Sequence, residues 1–148
     1  MATATDNLAS NIVTIILMSP TTDKLHKSLE EQVTANGWTD KLIQAILQGL
    51  TSAIRTGASV ARPAADALRQ TTDAAVGFAK EHPAYATLIA LGILFTLLPW
   101  VLGALGFGEL GVIEGSWAAR WQQTYKGYVP KGALFGYFQK LGAKWHWF

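Results

Sequence analysis

The chain has 148 residues, half of them hydrophobic and 15% charged, with a formal net charge of +2. That length suits one compact unit or a helical arm joined to a membrane module, and so apolar a composition fits membrane association. The small, scattered positive charge argues against nucleic acid as a partner, and the absence of cysteine excludes disulfides, thiolate metal sites and cysteine nucleophiles.

At the N-terminus, Ile12 to Met18 forms a short apolar run within a first segment, residues 1–20. No basic residue precedes Lys24, so the run lacks the charge that a signal peptide or an arginine-rich transit peptide carries. The expectation is a short helix that docks on the rest of the protein or lies in the membrane interface.

Residues 21–82 read as an arm of amphipathic helices separated by Gly37 and Gly57, both placed as C-cap glycines. Leu25, Leu29 and Val33 mark one face of the first helix. Thr39 and Asp40 open the second, whose Leu42, Ile43, Ile46, Leu47, Leu50 and Ile54 form a stripe at helical spacing. The third, from Ser59 to Lys80, is alanine-rich and tolerates Pro63 in its first turn. No strand pattern or hairpin dipeptide stands out, so the fold class is all-α.

Ala84 to Gly108 carries no charge. As a helix rising about 1.5 Å per residue, it is long enough to cross the roughly 30 Å hydrocarbon core of a bilayer. A transmembrane helix is therefore expected, kinked by Pro99 next to Trp100. The flanking Arg69 and Lys80 balance Arg120 and Lys126, so the positive-inside bias gives no orientation.

Glycine and aromatic residues concentrate in the last part of the chain. On a helix from Leu110 to Tyr128, Gly111, Gly115, Ala119 and Gln122 share one face, and Trp117, Trp121, Tyr125 and Tyr128 the nearly opposite one. Gly111 with Gly115, and Gly132 with Gly136, have the G-x-x-x-G spacing by which membrane helices approach closely. The expected fold is thus an all-α membrane protein with amphipathic N-terminal helices, one transmembrane helix and a glycine-rich C-terminal helical pair in residues 83–148.

Gly106-Phe107, Gly111, Gly115-Ser116, Ala118-Ala119, Val129, Gly132, Leu134-Phe135, Gln139 and Leu141-Gly142-Ala143 resemble, in order and spacing, the interferon-induced 6-16 family of small membrane proteins. The resemblance covers roughly Leu91 to Ala143 and is nearest to fungal-type members. It departs from the usual pattern at Glu114, at Ala133 and at Tyr125-Lys126-Gly127-Tyr128. Animal members are associated with mitochondrial or other intracellular membranes and with cell-death or antiviral responses. The resemblance implies an intracellular membrane here, endoplasmic reticulum or mitochondrial.

No catalytic constellation emerges. His26, His82 and His146 stand in separate segments and none is followed by a second histidine at i+3 or i+4, so no metal or other cofactor is expected. Ser116 lacks the frame of a nucleophile elbow, and Glu109 and Glu114, five residues apart, do not face one site on a helix. Glu114 alone is a candidate general acid, because an apolar setting among Trp117, Trp121 and Tyr125 would keep it protonated; the competing reading is a glutamate reaching water from an aromatic interface belt.

The expected function is membrane-embedded interaction or organisation through the small-residue face of Gly111, Gly115, Ala119, Gly132 and Gly136. The expected partners are the lipid bilayer and a second copy or another membrane protein. Two alternatives stand beside it: a membrane subunit assisting or catalysing cyclisation of a hydrophobic metabolite held by the aromatic face, and a pore-forming or membrane-perturbing effector.

Overall fold

A computed structural model describes residues 3–33, 37–108 and 111–141. The described helices are α1 Ala4–Met18, α2 Thr22–Val33, α3 Asp40–Thr56, α4 Arg62–Ala74, α5 Ala84–Leu97, α6 Val101–Leu105, α7 Trp117–Thr124 and α8 Lys131–Lys140. Between α6 and α7 the chain forms a small antiparallel ladder, β1 Phe107–Gly108 with β2 Gly111–Val112. The all-α class holds, with this one ladder added.

Local chemistry accounts for the first helices. Thr3 and Asp6 form a reciprocal capping box at the start of α1. Thr39 caps α3 by accepting from the Leu42 amide at 3.1 Å, and Gly57 closes it in the left-handed region at φ 69°. The stripe from Leu42 to Leu50 is buried, as its spacing requires. The apolar run of α1 packs on α3 and α4. It comes close at Gly49, where an added Cβ would sit 2.9 Å from a Val13 methyl.

The transmembrane helix expected over Ala84 to Gly108 is not formed. No helix among the described residues is long and apolar enough to cross a membrane. The uncharged stretch is divided into α5, a turn, α6 and β1. With 14 residues, α5 spans about 21 Å, well short of a bilayer core.

Pro99 is the physical reason. It ends the helix where a kink was expected, because its ring disfavours the helical region for the preceding residue, and Leu98 stands at φ −141°, ψ 66°. The chain then makes one short helix and leaves it at Gly106, in the left-handed region at φ 106°.

A helix that is apolar on all sides must be surrounded, and here protein surrounds it. Leu88, Ile89, Ala90 and Leu91 make a full turn, and none is more than 1% exposed. α3 and α4 pack directly on α5. α8 sends in Tyr137, whose hydroxyl donates to the Leu88 carbonyl at 2.9 Å.

The tightest crossing is at Gly92, where the Thr71 side chain of α4 and the Tyr137 hydroxyl of α8 both lie against the α5 backbone. A methyl group there has no room. Gly92→Ala is expected to lower stability by about 1–3 kcal/mol through overpacking, whereas Gly127→Ala, with no described atom within 4 Å of its Cβ position, should be close to neutral. Urea denaturation of the two variants checks the contrast.

Candidate functional site

The small residues after α6 build a turn and a cap. Phe107 pairs with Val112 and Gly108 with Gly111, and the Ile113 amide donates to the Gly106 carbonyl at 2.8 Å. Gly115 adopts φ 79°, which turns the chain into α7. Ser116 caps that helix: its Oγ accepts from the Ala119 amide at 3.2 Å and donates to the Ile113 carbonyl at 2.6 Å. Gly106 must lack a side chain because Ser116 occupies the space a Cβ would take.

This geometry replaces the continuous helix expected from Leu110 to Tyr128. Gly111 lies in β2, Gly115 in a turn and Ala119 in α7, so the three do not form a helix face. Backbone demands at Gly106, Gly115 and Ser116 override the periodicity. Glu114 is exposed in the same turn, outside α7, and reaches water. Glu109 and His146, named above, lie outside the described residues.

Gly132 and Gly136 do share α8, and they point outward. Gly132 is exposed and Gly136 half-buried, with no atom of the described residues within 4 Å of either Cβ position, while Leu134, Tyr137 and Phe138 on the other side are buried. α8 is a surface helix whose smooth side is uncovered at both glycines.

The aromatic residues close a circuit of rings. On α7, Trp117 and Trp121 stack with centroids 5.6 Å apart, and Tyr125 follows at 6.0 Å. Tyr125 meets His82 edge-on, and His82 stacks on Tyr128 at 3.6 Å. Tyr128 leads to Phe78, Phe78 to Tyr137, and Tyr137 to Phe138; Phe107 then links Phe138 back to Trp117. Each such pair contributes about 0.5–1.5 kcal/mol beyond area burial. Together they fasten α7, α8 and the α4–α5 connection to the central helix.

Sequence reasoning found the α7 stripe and Tyr128 but missed Phe78, His82 and Tyr137. The role of His82 is structural, the reading its sequence position favours over metal binding: Nδ1 accepts from the Ala84 amide at the start of α5. The circuit holds one anomaly. Trp121 Nε1 is buried with no hydrogen-bond partner among the described residues, and a buried donor left unpaired costs about 1–3 kcal/mol. Trp117 borders an open groove of about 560 Å³ whose other walls include Lys41, Gln44, Gln48, Ser52 and Arg55, a polar lining.

Among the described residues no group of His, Asp and Glu could hold a metal ion. Burial raises the Tyr137 phenol far above its ordinary value of 10.0, with the charge of Tyr85 adding to the effect. In the unfolded chain that phenol ionises near pH 10, while in the fold it keeps its proton. Above pH 10 the folded state thus binds more protons and stability falls as pH rises. Alkaline denaturation beginning near pH 10 is expected, with a smaller slope in Tyr137→Phe, which loses about 1 kcal/mol at neutral pH with its hydrogen bond. Chemical denaturation from pH 7 to 11 measures both.

Residues 86–145 match the model of the interferon-induced 6-16 family, from the first turn of α5 through α8. No curated protein and no solved structure matches the chain.

Proposed function

Over residues 86–145 the chain belongs to the interferon-induced 6-16 family, and we propose that it acts as an interaction protein through the uncovered face of α8. The observation that carries this reading is that no described residue covers Gly132 or Gly136. The inner side of α8 is committed to the aromatic circuit, so its outer glycines serve no contact with the neighbouring helices. Glycines four residues apart let a second helix approach the backbone closely. Phe135, 41% exposed, adds apolar area on the same stretch. The expected occupant is a helix of a second copy or of another protein, and the family resemblance extends the proposal to the surface of an intracellular membrane.

A bulky residue tests the face without disturbing the fold. Gly136→Leu should leave thermal stability unchanged or raised by up to about 1 kcal/mol, because leucine is the better helix former and the space is open. It should abolish self-association or partner capture, as read by cross-linking and light scattering. Unaltered assembly in Gly136→Leu and in Gly132→Leu sinks the proposal.

A second reading, a hydrophobic small molecule held at the aromatic circuit, is favoured by the unpartnered Trp121 N–H. It needs a ligand that brings an acceptor to that nitrogen, since the groove beside Trp117 is polar. Mass spectrometry of organic extracts from the purified protein decides between the two readings: a stoichiometric compound lost in Trp121→Phe would favour this one.

A further inference from the structure

A second aromatic site lies away from the circuit, where the α2–α3 connection meets the α5–α6 turn. Trp38 and Trp100 contact each other with centroids 4.6 Å apart and planes at 73°. The two rings are nearly perpendicular walls of an open cavity of about 330 Å³, completed by His26, Leu29, Glu30 and Leu98. Leu29 and Leu98 are 3% exposed and belong to the core, whereas Trp100 is 44% exposed. The cavity therefore has an apolar floor and an accessible aromatic side.

Apart from His26, the walls of the cavity are electronegative. Indole faces carry the negative part of the ring quadrupole. Glu30 is exposed and forms no ion pair or hydrogen bond among the described residues; Lys27, one turn before it, is not paired with it. The C-terminal end of α5, the negative end of its dipole, reaches the same place. The Leu97 carbonyl there accepts from His26 Nε2 at 3.3 Å, which fixes the proton on that nitrogen.

A cation is the complementary ligand. A primary ammonium needs three acceptors and is strongly hydrated, but the walls are chiefly carbon, with one carboxylate. A quaternary ammonium needs no hydrogen bonds and presents methyl groups to such walls. We propose that this cavity binds a trimethylammonium group of the choline type, with Trp38 and Trp100 as its aromatic walls and Glu30 as its counter-charge. The site is independent of the α8 face.

The test is titration of the 148-residue chain with tetramethylammonium, phosphocholine and the neutral carbon isostere 3,3-dimethylbutan-1-ol, followed through the indole NMR signals of Trp38 and Trp100. Both quaternary ammonium compounds should shift these two signals saturably, with phosphocholine the weaker of the two because its phosphate is repelled by Glu30, and the neutral alcohol should bind at least about tenfold more weakly than tetramethylammonium. Trp100→Leu should stay folded, with a modestly lowered melting temperature from the lost Trp38 contact, and lose about tenfold in affinity; Glu30→Gln, at an exposed position, should keep its melting temperature and lose several-fold. A sedimentation arm with phosphatidylcholine and phosphatidylethanolamine vesicles separates the sources of the group. Trp100-dependent retention on phosphatidylcholine alone assigns the site to the lipid headgroup, and soluble binding without retention assigns it to a soluble choline compound. Affinity for the alcohol equal to that for tetramethylammonium, or no saturable shift with either quaternary ammonium compound, overturns the proposal.

Discussion

The structure depends on covering α5. Its fourteen residues carry no charge and no polar face, and in water such a helix is stable only when every side is packed. α3 and α4 cover much of its length, and α1 backs both of them. The remaining side falls to α8 through Tyr137 and Phe138, both fully buried. Phe95 of α5 meets Phe138 with centroids 5.3 Å apart.

This requirement explains the arrangement of the matched family region. The central helix and the small-residue segment after it lie close together in sequence, yet α8 can return to α5 only if the chain reverses between them. Pro99 ends the helix, Gly106 ends α6, and the turn of Gly115 and Ser116 starts α7 toward the connection that precedes α5. Residues that read as a motif for close helix packing are, at Gly106, Gly115 and Ser116, the means of that reversal. Among the described residues, the glycines of α8 at helical spacing, Gly132 and Gly136, take no part in this reversal.

Much of the N-terminal half was legible because its signals are local. The Thr39 cap, the Leu42-to-Leu50 stripe and the Gly57 stop each act within one helix, and the structure places them where the sequence does. The medium around α5 was not legible in the same way. Hydropathy records that a helix is apolar but not whether lipid or protein covers it, and the covering stripes are dispersed over α1, α3, α4 and α8. The helix expected from Leu110 to Tyr128 failed because 3.6-residue periodicity was carried through glycines that turn the chain. Ser116, a favourable N-cap residue after a glycine, was the available sign that a helix starts there.

The paired tryptophans show a further limit of periodic reasoning. Trp38 follows Gly37 and Trp100 follows Pro99, each between two helices, so neither belongs to a stripe. Their proximity is long-range, created when α5 ends level with the α2–α3 connection. A large aromatic residue directly after a helix-breaking residue is free of the packing demands of a helix face. In this bundle the two such positions converge, and the core beneath them, through Leu29 and Leu98, sets the floor of the cavity they form. The proline that ends α5 therefore also positions Trp100, so the same interruption that lets the central helix be enclosed by protein creates an aromatic wall at the surface.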